Sequence, residues 1–246
     1  MRTKFLRGLT ALIIAIFGAT ACSSDSPPAF NPPPLPPPPP PQASFDVTVV
    51  NASNAQPLSP IAIIAHGAGY SVFSVGTSAT TGLEELAEGG DNMSLIAEAD
   101  ADAAVILTAS GGAPIGPAGS ETVRIMLDEA DRAGLRISVA TMLVNTNDAF
   151  TAVNGWPVDA MAVGDVMTMN AIAYDAGTEA DSESAGTIPG PAGGGEGFNA
   201  ARDDEGDRVS MHSGVVSGDD GLAGSDLTEQ HRFDNPVARI RIERIS

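Results

Sequence analysis

Apolar and polar residues alternate with a period of two at several places along the chain, the pattern of strands with one buried face. Phe45, Val47 and Val49 alternate with Asp46, Thr48 and Val50, and Val123, Ile125 and Leu127 with Thr122, Arg124 and Met126. Ile137, Val139, Thr141 and Leu143 lead into Asn145, and residues 166–174 read as one further run. Near the C-terminus Ala238, Ile240 and Ile242 share one face, with Arg239 and Arg241 on the other. Residues 61–65 form a short apolar run behind Pro57 and Pro60. Helical spacing is confined to two short pieces. Residues 82–88 place Leu83, Leu86 and Ala87 on one face, and Asp91 is a candidate cap for a helix containing Leu95, Ile96 and Ala99. The stretch 176–226 is rich in glycine and acid and reads as a long loop region with short strands. No internal repeat interrupts this order. The pattern predicts a mostly β fold, an antiparallel β-sandwich with short helices and long acidic loops.

The N-terminus follows a different logic. Arg2, Lys4 and Arg7 precede an apolar stretch over 9–17, and Ala19-Thr20-Ala21 stands directly before Cys22. That is the order of an export signal, and the apolar run is too short for the roughly 20 residues a membrane helix needs. Cys22 is the only cysteine, so no intrachain disulfide can form. A lone cysteine after small residues is similar to a bacterial lipoprotein cleavage site, which implies acylation of Cys22. Ala19 replaces the usual leucine of that motif, and Ser23 after the cysteine implies outer-membrane sorting. Proline then dominates up to Gln42, unbroken from Pro36 to Pro41, as in a stiff polyproline spacer. The expected organisation is a signal peptide over 1–21, an anchor site and linker over 22–43, and one domain over 44–246. The expected location is the cell envelope, or the periplasm or exterior if the cysteine is not acylated.

Charge narrows the partners. Without the three basic residues of the leader, nine arginines and no lysine face thirty-one acids, a balance of −22. Such a field opposes nucleic acid and anionic lipid and favours cations. With 43% hydrophobic residues the chain can still bury a core. The sequence contains no G-x-S-x-G, Walker A, G-x-G-x-x-G or H-E-x-x-H motif. His66, His212 and His231 have no spacing that directs them to a triad or a zinc site, and His66 at a strand end reads as a hydrogen-bonded structural residue. Asp100-Ala101-Asp102 lacks the glycine and terminal glutamate of an EF-hand and reads as solvated charge. These features predict a non-enzymatic protein.

Two apolar runs end in acid. One leads into Asn145-Thr146-Asn147-Asp148, the other into Asp175-Ala176-Gly177-Thr178-Glu179. Either these are separate acidic turns, or the strand ends are neighbours and three carboxylates converge. Converging carboxylates repel one another unless a cation sits among them, and hard oxygen ligands suit calcium over zinc.

The same residues carry a resemblance. Residues 138–150, with Asn147-Asp148-Ala149-Phe150, and 173–179, with Asp175-Ala-Gly-Thr-Glu179, resemble the spondin N-terminal domain family. Glu183-Ser184, Pro60, His66, Gly89-Gly90-Asp91, Ile188-Pro-Gly-Pro191 and Asn235-Pro-Val-Ala-Arg239 extend the likeness to bacterial members, over nearly all of 45–245. The resemblance implies a C2-like sandwich that binds calcium at one edge. Asp148, Asp175 and Glu179 stand at the ligand positions, the last being Asp in the animal pattern. It also implies adhesion or recognition of an extracellular or cell-surface ligand, with the membrane reached only through the lipid. A structural envelope lipoprotein with calcium for rigidity, and a hydrolase using the acidic cluster, are the alternatives.

Overall fold

The computed structural model describes residues 35–202 and 206–246. The export signal and Cys22 lie outside the described residues, as does the start of the proline-rich stretch. Residues 35–38 are exposed and belong to a first unit that ends at Pro38; the second unit is Pro39–Ser246. Among the described residues no helix is long and apolar enough to cross a membrane.

The second unit is mostly β, built from two antiparallel sheets. Among the described residues ten strands occur in chain order: β1 Gln42–Asn51, β2 Ala62–His66, β3 Val105–Ser110, β4 Ser120–Asp128, β5 Arg136–Met142, β6 Ala149–Pro157, β7 Val166–Ala171, β8 Ala173–Asp175, β9 Ser210–Met211 and β10 Ala238–Arg244. One sheet has the order β4-β1-β10-β7, the other β3-β2-β5-β6-β8-β9. Each alternating segment turns its apolar set inward. Phe45, Val47 and Val49 from β1, Ile125 and Leu127 from β4 and Ala238, Ile240 and Ile242 from β10 face Ile63, Ile137 and Val139 across the main core. Strand β2 is buried along its whole length, as its continuous apolar run requires for a strand paired on both sides and covered by helices.

Those helices are α1 Thr81–Gly89 and α2 Met93–Asp100. The Thr80 side chain caps α1 through Leu83 N–H, and Gly90 ends it in the left-handed region. Leu83, Leu86, Leu95 and Ala99 pack with Ala62, Ile64 and Phe150 in a second core on the other face of the larger sheet. The Asp91 carboxylate accepts the Met93 N–H at 2.9 Å. The residue at the cap position is Asn92, whose amide is drawn to Pro60, Ile61 and Ser110 instead.

The apolar run over 166–174 is two strands, not one. It pairs with β10 up to Ala171, then leaves that sheet at Ile172 and pairs with β6 from Ala173. Period two continues across the break because residues on both sides bury alternate side chains, so the pattern carries no mark of the switch. The acidic stretch 176–226 holds only short 3₁₀ turns and the two-residue β9 among its described residues.

Candidate metal centre

Strand pairing brings the two acidic segments together. The turn after β5 is closed by Thr146, whose hydroxyl donates to Leu143 O at 2.6 Å and accepts from Ala149 N at 3.1 Å. It delivers Asp148 to the start of β6. Strand β8 pairs with β6 in the register Phe150↔Tyr174 and Ala149↔Asp175. The rings of Phe150 and Tyr174 stack with centroids 5.5 Å apart, and Phe73 lies 5.2 and 4.7 Å from them. Each of the two aspartates is therefore anchored close to one aromatic of a shared cluster. The strand ends meet through β6, which lies between β5 and β8 in the sheet.

The chain after β8 must then turn sharply. Gly177 has φ +72°, and a Cβ there would come within 2.4 Å of Arg208 O, so no other residue fits. The Gly177 N–H donates to Asp175 at 2.7 Å. The turn also aims the Thr178 and Glu179 N–H groups at Asp148 Oδ2, at 2.9 and 3.2 Å.

Asp148, Asp175 and Asp181 each present a carboxylate oxygen within 4.8 Å of the others. Oxygens on opposite sides of a calcium ion are about 5 Å apart, so the triad is already the right size for a dication. Asp148 is fully buried, and its Oδ1 has no hydrogen-bond partner. Burial, then the charge of Asp175, pushes the Asp148 carboxyl up to about 7, against the opposing N–H bonds. Asp181 is one-third exposed and leaves the group accessible to water.

Of the three acids expected from sequence, Asp148 and Asp175 are brought together. The Glu179 side chain points elsewhere: its Oε2 pairs with Arg202 at 2.6 Å and its Oε1 accepts from Asn147 at 3.1 Å. Asp181 stands in the triad in its place. The sequence alternates acids at 179, 181 and 183 and so does not choose among them, and the partner that claims Glu179 lies twenty-three residues away. The amides of Asn145 and Asn147 are also committed. Asn145 ties Ala55 and Ala192, and Asn147 ties Thr187 and Glu183. Both asparagines therefore hold the turn and its covering loops in place.

His66 is fully buried, with Nδ1 on Gly67 O at 2.7 Å and Nε2 on Ser138 Oγ at 2.8 Å. Ser138 also accepts the Gly155 N–H at 2.8 Å. This serine–histidine pair lies inside the sheet with no exposed atom, a satisfied core network as expected for His66. Asp102 and Asp100 are exposed and close local bonds to Ala104 and Thr108. Two surface cavities are lined by none of the triad residues. One of about 460 Å³ lies beside Tyr70 and Glu98, and one of about 500 Å³ lies between β6 and β7 beside Trp156.

The fold and the triad define a mostly β sandwich domain with an acidic cluster that could hold a metal ion. A scan against protein-family models finds no match to the chain. A search of curated proteins finds none either.

Proposed function

We propose that this protein is an extracytoplasmic calcium-binding recognition or adhesion domain of the spondin N-terminal type, tethered to the cell envelope through Cys22. The observation that carries the calcium reading is Asp148, a buried carboxylate whose Oδ1 has no hydrogen-bond partner, in a cluster with two further carboxylates. A buried charged oxygen without a partner is expensive, and a cation among the three supplies the missing partner and removes their repulsion. The all-oxygen set and the acidic chain favour a hard ion. Glu179 belongs to the scaffold in this reading, and Asp181 takes the third ligand position. Three carboxylates leave room for carbonyls or water in a shell of about six to eight oxygens.

His212 beside the cluster is the one feature that favours a hydrolase. Its side chain is only 1% exposed, however, and its two nitrogens face Gly214 and Asp181. A general base must reach solvent or substrate, so binding is the better reading. Thermal unfolding with added calcium tests the proposal, since an ion that binds only the folded form raises the melting temperature. The rise should be present in the wild type and largely absent in Asp175→Asn. A wild type indifferent to millimolar calcium would remove the reading. A binding screen against cell-surface material with and without chelator separates recognition from a purely structural use of the ion.

A further inference from the structure

The hydrogen bonds of His212 fix which of its nitrogens faces the carboxylates. Nδ1 accepts the Gly214 N–H at 2.9 Å. That nitrogen therefore carries the lone pair, and the proton of the neutral ring sits on Nε2. Nε2 lies 3.5 Å from Asp181 Oδ1, is buried, and makes no hydrogen bond in this arrangement. The separation is at the outer limit for an N–H···O bond, and Asp181, one-third exposed, is free to close it by a small rotation. The ring itself is held. It packs on Phe233 with centroids 5.4 Å apart, and the His212 N–H donates to Ala173 O at 3.2 Å. The histidine is thus fixed to the strand that carries Asp175.

We propose that His212 is a positioning residue of the ion site. Its Nε2–H holds Asp181, and because it faces the carboxylates with a proton, the site offers a cation oxygen ligands alone. The inference rests on the three carboxylates being an ion site and adds the source of its selectivity. Zinc, copper and nickel favour imidazole nitrogen, whereas calcium is held by oxygen. Using His212 as a ligand would require its proton to move to Nδ1. That nitrogen would then face the Gly214 N–H donor to donor, leaving a buried N–H unpaired.

The test is calorimetric titration of calcium and of zinc into the full chain, as wild type, His212→Gln and His212→Leu. Both substitutions remove the acceptor for Gly214, so that loss is common to them. Only glutamine keeps a donor at the Nε2 position. The wild type should bind calcium more tightly than zinc, and His212→Gln should stay close to it. His212→Leu should lose calcium affinity by on the order of tenfold or more, the usual effect of removing such a supporting group. Equal behaviour of the two variants would overturn the positioning role. Zinc binding tighter than calcium and lost in both variants would make His212 a ligand and overturn it too. A wild type that binds neither ion would instead remove the carboxylate reading beneath it. Should His212→Leu not fold, nitrogen NMR of the wild-type ring decides. The Nε2–H tautomer with and without calcium supports the role, and an Nδ1–H tautomer overturns it.

Discussion

Asp148→Asn should make the ion-free protein more stable at neutral pH while abolishing its response to calcium. In the fold, the Asp148 carboxyl is raised from 3.8 to about 7 by burial and by Asp175. Between about pH 4 and pH 7 the folded state therefore holds a proton that the unfolded chain has released. Stability is greatest on the acid side of that window and is lost as pH rises through it, by about 1.4 kcal/mol per pH unit for one proton. Over about three units the loss is on the order of 4 kcal/mol. Glu88 and Glu183 are also raised to about 7, chiefly by burial, and act in the same direction. Asparagine keeps the volume and removes one titration. Its carbonyl can accept the Thr178 and Glu179 N–H bonds now made to Oδ2, and its NH₂ can donate towards Asp175 and Asp181. Urea unfolding in chelator, repeated from acid to mildly alkaline pH, reads the slope directly. The wild type should lose stability with rising pH, and the variant should lose it less steeply by about one proton. Parallel slopes, or a variant less stable than the wild type at alkaline pH, would refute the placement of a strained carboxylate at 148.

Arg202→Met should lower stability by about 3–5 kcal/mol, the usual effect of leaving a buried charge unpaired, because Glu179 is only 3% exposed beside it. Calcium should still raise the melting temperature of that variant; loss of the response would return Glu179 to the ligand set. Ser138→Ala should reduce stability by about 1–3 kcal/mol through the orphaned Gly155 N–H and His66 Nε2, as measured by chemical unfolding, with calcium affinity unchanged. Cys22→Ser should move the protein from membrane to soluble fractions, and mass spectrometry finding an unmodified thiol on the mature wild type would contradict the anchor.

The sandwich was legible because its apolar sets obey period two over many residues. Phe45, Val47 and Val49, and later Ala238, Ile240 and Ile242, are buried together as the alternation requires. Strands β3 and β6 were not legible. Val105 to Ser110 is only half-buried, and β6 carries an irregular pairing near Ile137 and a Gly-Trp-Pro end that breaks the alternation. Asp148 and Asp175 were legible because each ends an apolar run. The third acid was not, because the choice between Glu179 and Asp181 is made by a turn at Gly177 and by Arg202. Neither long-range contact leaves a trace in local spacing. His212 was visible only as an undirected histidine, since its role depends on β9 pairing beside β8.

Strand β1 also determines how the domain would carry load. Its first residues lie beside the C-terminus, where Ser246 and Ile245 bond Ser44. Its last residue, Asn51, holds Gln56, which in turn holds Asn145 in the acidic turn. Chain entry and acidic turn thus sit at opposite ends of one strand, which is paired along its length with β4 and β10. A pull applied between Gln42 and the acidic turn runs parallel to that strand. It shears the two ladders with all their bonds loaded at once, and does not peel them open one bond at a time.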